Sequence, residues 1–267
     1  MSDTSPDSEN RATEDGGGRY DPAAWLADIR TALGFLTRCP IGAAGGDLAR
    51  AARLFPVAGA LVGLAGGILY TIALWLGLPH LLAATAAIGG TVLLTGALHE
   101  DGLADMADGF GGGTDAAAKL AIMKDSRIGT FGVLALGLSL LARVAALAAL
   151  GPHVGAGALI AAHALGRAGL PLVMAREPLA RDTGLAVAAG RPRESDALIA
   201  IGLGALLALL ALGWLGGLLA ILIAAVATFG LARFARRQIG GYTGDVLGAI
   251  EQICEIAVLA AAAVLAA

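Results

Sequence analysis

Residues 54–98 read LFPVAGALVGLAGGILYTIALWLGLPHLLAATAAIGGTVLLTGAL, 45 positions without one Lys, Arg, Asp or Glu. A bilayer core needs about 20 apolar residues per helix, so this run is long enough to cross twice. Gly77-Leu78-Pro79-His80, near its middle, supplies the turn chemistry. Working outward, residues 128–175 carry only Arg143 and Arg167 and allow two more spans around Gly151-Pro152-His153. Residues 197–232 are again free of charge and allow two short spans around Trp214-Leu215-Gly216-Gly217, or one long tilted span. Residues 246–267 make a last one. The composition agrees: 57% hydrophobic, 15% charged, 40 glycines and a mean hydropathy of +0.78 exclude an ordinary soluble domain, in which about a quarter of residues are charged. The reading is an all-α, polytopic integral membrane protein of about seven transmembrane helices, with six as the alternative, embedded in a lipid bilayer.

The basic residues outside these runs and beyond residue 24 fall in four segments: 25–53, 99–127, 176–196 and 233–245. If each apolar block is a helical hairpin, all four face one side, and the positive-inside rule makes that side the cytoplasm. A net charge of -3 leaves no basic surplus for phosphate backbones, so no nucleic-acid partner is expected. Residues 1–24 hold six acids and three consecutive glycines, which reads as a disordered acidic tail before a single membrane-embedded catalytic domain, 25–267. From Pro22 to about Phe35, Trp25, Leu26, Ile29 and Leu33 mark an amphipathic helix at the interface, ended before Pro40. Cys39 and Cys254 are too isolated for a disulfide framework and read as packing thiols. Small-residue pairs such as Gly59/Gly63, Gly63/Gly67 and Gly213/Gly217 would let helix backbones approach closely.

Directly after the first apolar run comes His99-Glu100-Asp101-Gly102-Leu103-Ala104-Asp105-Met106-Ala107-Asp108-Gly109. At about 100° per residue, Asp101, Asp105 and Asp108 fall within roughly 60° of one another, with Leu103, Met106 and Phe110 opposite. Like charges so spaced destabilise a bare helix and call for a cation. The donors are hard oxygens, which suit Mg2+ or Mn2+ and argue against zinc. Glycines 102, 109, 111, 112 and 113 would leave space for a bulky ligand beside the carboxylates. Two further motifs stand at the same face. In Lys124-Asp125-Ser126-Arg127-Ile128-Gly129, Lys124 and Arg127 can hold phosphate oxygens, and Asp125 can join the metal or orient a base. In Gly240-Gly241-Tyr242-Thr243-Gly244-Asp245 the glycines would free backbone N–H groups for an anion, and Asp245 begins a helix. Farther along that helix Glu251 and Glu255, the latter about 15 Å from Asp245, lie deep in a span, with Arg143 and Arg167 as candidate partners. Carboxylates, a divalent ion, cationic side chains and glycine-rich turns together describe phosphoryl transfer. His99 can serve as an acid or base, or be structural.

These motifs, with Phe35-Leu36-Thr37-Arg38-Cys39-Pro40, Phe55-Pro56 and the run from Ile122 to Gly132, resemble the cobalamin synthase family, the adenosylcobinamide-GDP ribazoletransferases, over nearly the whole chain from about Leu33. The family's usual acidic motif is His-Leu-Asp-Gly-Leu-Ala-Asp. This chain has Glu100 at its second position, either a further ligand or a solvated side chain. The resemblance implies transfer of the adenosylcobinamide phosphate group from adenosylcobinamide-GDP to alpha-ribazole, or to its 5′-phosphate, with release of GMP. The 5′-oxygen or 5′-phosphate is the expected attacking group. It further implies Mg2+ (Mn2+ being compatible) and a bacterial cytoplasmic membrane with the active site facing the cytoplasm. A homo-oligomer, or a complex with other nucleotide-loop enzymes, is compatible with it. On this reading Asp101, Asp105, Asp108 and Glu100 hold metal; Asp125, Asp245, Lys124 and His99 are catalytic; and Arg38, Arg127, Ser126, Gly129, Gly241, Thr243, Gly244 and Arg167 bind substrate.

Two other classes compete. A CDP-alcohol phosphotransferase would need an Asp where Leu98 stands and Ala-Arg where Asp105-Met106 stands, and its final Asp pair is missing. A secondary transporter would use broken glycine-rich helices and the intramembrane charges, but its polar groups belong at the midplane, not at one face.

Overall fold

The computed structural model describes residues 21–41 and 46–266. Among them there is no β-strand, only an isolated bridge between Leu179 and Tyr242. The chain forms α1 (Pro22–Leu36), α2 (Leu48–Trp75, with a 3-10 step at Ala52–Leu54), α3 (His80–Thr95), α4 (Leu98–Gly112) and α5 (Ala116–Met123). There follow α6 (Thr130–Ala148), α7 (Pro152–Arg176, with a break at Gly169), α8 (Leu185–Ala189), α9 (Glu194–Ile239) and α10 (Gly244–Ala266). By length and apolarity α2, α6, α7, α9 and α10 can each cross a membrane, and α3 with α4 forms a sixth, bent candidate.

The 46-residue α9 is not one rod. Gly213 has φ 71° and ψ -177°, a conformation that glycine adopts without a Cβ clash. A Cβ placed on Gly217 would lie 2.7 Å from the Leu209 Cα, although eight residues of continuous helix span roughly 12 Å. The chain therefore reverses at Gly213, and the arms 194–212 and 214–239 pack antiparallel. This is the reversal expected near Trp214, one residue earlier.

Helix α7 is the central post, with 83% of its apolar window buried, against 22% for α6 and 17% for α9. Glycines let α2 lie against it: a Cβ on Gly59 would meet the His163 carbonyl oxygen, and one on Gly63 the Leu159 carbonyl oxygen. That is small-residue packing, the means by which helices associate where lipid is as apolar as leucine. The outer faces carry Trp75, Leu93, Leu210 and Trp214, all largely exposed, as suits lipid-facing positions. Cys254 is buried against Thr228 and Cys39 is half-buried; both are free thiols.

All four charged segments meet at one end. Asp28 of α1 is buried between Arg50 (2.8 Å) and Arg53 (2.7 Å) of α2, and Arg53 lies over the Trp25 ring. Arg236 pairs with Glu177 at 3.1 Å, Lys119 reaches Gln238, and Arg181 reaches Asp245 at 2.9 Å. Helix α1 starts at Pro22, capped by Asp21, so residues 22–24 belong to it. The rest of the expected tail, 1–20, lies outside the described residues.

Candidate functional site

The acidic helix is aimed by two left-handed residues. Gly96 (φ 68°) and Ala97 (φ 58°) end α3 and turn α4 by 89°. A non-glycine residue in that region costs roughly 1–2 kcal/mol, so the bend is held by its surroundings. The exposed Arg38 lies across Gly96, its N–H bonded to the Leu94 carbonyl and its side chain occupying the space a Cβ would take.

Helix α4 then crosses α10 backbone to backbone. A Cβ on Gly102 would sit 2.9 Å from the Asp245 carbonyl oxygen, and one on Gly248 3.1 Å from that of His99. This corrects the role given to the glycines of the acidic motif: none of them leaves room for a bulky ligand. Gly102 admits α10, Gly109 and Gly113 admit α5, Gly111 admits Phe131, and Gly112 faces Ile122. The crossing brings Asp245 to the face that carries Asp101, Asp105 and Asp108. Asp105 stands among the charges of Asp101, Asp245 and Asp108, with Arg181 opposing them. The open carboxylates, Asp101, Asp105 and Asp245, are hard oxygen donors whose charge exceeds that of the one guanidinium beside them, which fits a divalent cation such as Mg2+.

Within this cluster the roles divide. Asp101 is exposed, Asp105 half-buried and Asp108 buried. Both oxygens of Asp108 accept backbone hydrogen bonds, from Gly129 N at 2.7 Å and Gly132 N at 2.8 Å, so it fastens the start of α6 to α4. Gly129 thus holds Asp108 here. Asp245 accepts from Arg181 Nη2 at 2.9 Å and from Thr243 Oγ1 at 3.1 Å. Arg181 is a member of this cluster that sequence reasoning missed; its only signal was a basic residue in the 176–196 segment at the charged face.

Other expected members lie elsewhere. Glu100 turns inward, accepting from Arg143 Nη1 at 3.0 Å and Gln252 Nε2 at 3.3 Å, which removes it from the aspartate face. Arg167 is fully buried, bonded to Glu251 and to the His163 carbonyl, so it holds protein groups and does not open onto the cleft. Asp125 is gripped by Arg127 (Nε to Oδ1, 3.0 Å) in an exposed loop, and that guanidinium pulls its carboxyl down to about 2. Lys124 and Ser126 are exposed in the same loop. Gly241 lets its turn approach Pro178, and the Tyr242 N–H goes to the Pro178 carbonyl at 2.9 Å, so this turn closes on protein, not on an anion. Thr243 accepts from Val246 N at 3.3 Å at the start of α10.

His99 joins the two polar regions. Its Nδ1 faces Arg167 Nη2 at 3.3 Å. A guanidinium offers only donors, so Nδ1 accepts and the ring proton sits on Nε2. Below it, Arg143 pairs with Glu255 at 3.2 Å and Glu251 with Arg167; Gln252 links Glu251 to Glu100, and Ser139 bonds Gln252. The expected pairing of Glu251 and Glu255 with Arg143 and Arg167 is the one observed. Ligand atoms of His163, Glu251 and Glu255 lie within 4.8 Å of one another. Both glutamates already hold an arginine, so this is an ion-pair network and not a cation site.

A cleft with about 730 Å³ of empty space, part of it open, lies beside the aspartates between α1, α2, α4, α7, α8 and α10. Asp101, Asp245, Arg181, His99 and Gly244 line it together with Phe35, Phe55 and several leucines.

The cobalamin-5-phosphate synthase family model matches residues 28–263. The chain belongs to that family. The family's membership agrees with relatives from Bradyrhizobium diazoefficiens, 51% identical over 89% of this chain and 94% of its own length, and Azorhizobium caulinodans, 48% identical over 88% and 94%. Both relatives are adenosylcobinamide-GDP ribazoletransferases. No solved structure matches the chain. Neither the phosphotransferase of lipid synthesis nor the transporter describes the synthase family.

Proposed function

We propose that this chain transfers the adenosylcobinamide phosphate group from adenosylcobinamide-GDP to alpha-ribazole or its 5′-phosphate, releasing GMP, with Mg2+ at the aspartate face. The observation that carries this is the convergence of Asp101 and Asp105 from α4 with Asp245 from α10, beside a cleft, in a chain of the synthase family. Asp101 and Asp105 would hold the cation. Bound there, it would neutralise charge on the diphosphate.

A product that keeps a 5′-phosphate cannot have been formed through that group. The attacking oxygen is therefore a ribose ring hydroxyl, not the 5′-oxygen. It forms a bond to the cobinamide-bound phosphorus, the bond from that phosphorus to the oxygen of GMP breaks, and GMP leaves with that oxygen. Asp245, on the cleft wall, takes the hydroxyl proton; Asp125 is held outside by Arg127. Arg181 stabilises charge on the transferred phosphate, and the Nε2–H of His99 donates to substrate oxygen. The alternating charge-free turns and charged ends support seven spans, counting both arms of α9, with the aspartate face on the cytoplasmic side of a bacterial inner membrane.

Purified protein in lipid nanodiscs, given adenosylcobinamide-GDP, alpha-ribazole and Mg2+, should release GMP and form the corrinoid product together. Release no faster than from empty nanodiscs would overturn the proposal.

A further inference from the structure

We infer that the apolar part of the cleft is the seat of the aromatic base of alpha-ribazole, so that the acceptor nucleoside, and not the guanine or the corrin ring of the donor, lies between α1, α2, α7 and α8. The inference rests on the transfer reading above and adds which substrate part goes where.

The walls decide it. Phe35 and Phe55 stack with centroids 6.0 Å apart and planes 11° from parallel, and with Leu98, Leu170, Met174 and Leu185 they supply much of the cleft's apolar lining. Three ring systems compete for this space. Guanine presents exocyclic donors and acceptors, each costing about 1–3 kcal/mol when buried unpaired, and these side chains offer it no partner. The corrin ring with its adenosyl group is many times the size of a bicyclic base and carries amide side chains around its rim, which an apolar wall would leave unpaired. The dimethylbenzimidazole of alpha-ribazole is flat, carries two methyl groups and no exocyclic donor, and suits an aromatic and aliphatic wall. With the base against the apolar residues, the attached ribose would reach Asp245 and Asp101, which line the same cleft. The diphosphate then approaches from the open, charged side.

The test separates the two substrates. In nanodiscs, Phe35→Ala and Leu185→Asp should each raise the KM for alpha-ribazole about tenfold, the equivalent of losing roughly 1.4 kcal/mol of binding, while the KM for adenosylcobinamide-GDP changes less than about twofold. A rise confined to adenosylcobinamide-GDP, or no rise for either substrate, overturns the inference. If a variant is inactive, equilibrium binding of alpha-ribazole, followed by its benzimidazole fluorescence, replaces the kinetics. Wild-type protein should bind it and both variants should bind it about tenfold more weakly. Equal binding by wild type and variants overturns the inference. Because that measurement needs no turnover, it stands even if wild-type protein releases no GMP, the outcome that sinks the transfer reading alone.

Discussion

Helices α4 and α10 each carry two kinds of acid. On one side of the crossing, Asp101, Asp105, Asp108 and Asp245 gather around a single arginine, Arg181, at the charged end of the protein. On the other, Glu100, Glu251 and Glu255 are buried and meet Arg143 and Arg167. Only one residue step, about 100° of helix, separates Glu100 from Asp101. The acids are alike, and their counter-charges are not. Where arginines nearly balance carboxylates and water is excluded, the arrangement holds helices together; where they do not and the face is open, it is the place where the proposed cation would bind.

The sharpest way to break this contrast is Asp105→Asn. It should lower kcat/KM for transfer by at least about a hundredfold, the scale of losing one group that stabilises transition-state charge, with an unchanged melting curve; a destabilised but active protein would reverse the assignment. Glu255→Gln should do the opposite. It leaves Arg143 with less compensation in the interior, and removing one partner of a buried pair costs about 3–5 kcal/mol, read as a lower unfolding midpoint in detergent. Arg181→Gln tests the single cation of the aspartate face: Mn2+ binding, followed by electron paramagnetic resonance, should tighten by about three- to tenfold as a nearby positive charge is lost, while transfer slows. The smallest effect belongs to Asp125→Asn. Its exposed pair with Arg127 lowers the carboxyl to about 2, so any contribution is complete above the unfolded value near 4 and fades only as pH falls through 2. Melting and the pH profile of transfer between 6 and 8 should not move by more than about the small effect of a surface pair; a large loss of kcat would bring Asp125 into the aspartate face.

Much of this was legible because charge is sparse. The three apolar runs and the charged segments between them already contain the helices and the common end where Arg181, Lys119 and Arg236 meet their partners. The 3.6-residue period correctly put Asp101, Asp105 and Asp108 on one face. Periodicity orders residues around one helix, however, and cannot say which neighbour each face meets. Glu100 turned to Arg143, Asp108 took up the backbone of Gly129 and Gly132, and the motif's glycines proved to be contact points between helices, all for that reason. Arg181 was hidden because its partner Asp245 lies far along the chain and no spacing rule connects a loop residue to a helix start.

The placement of Glu251 and Glu255 on the last helix sets an order of assembly. Helices α6 and α7 each carry an arginine into the apolar region, and the chain emits them before the two glutamates that neutralise them. Among the described residues, until α10 arrives Arg143 pairs only with Glu100 and Arg167 pairs with no carboxylate. The same arrival delivers Asp245 to the aspartates. Insertion of the final helix therefore locks the bundle and completes the candidate site in one event, and a nascent chain stalled before α10 is both unlocked and inert.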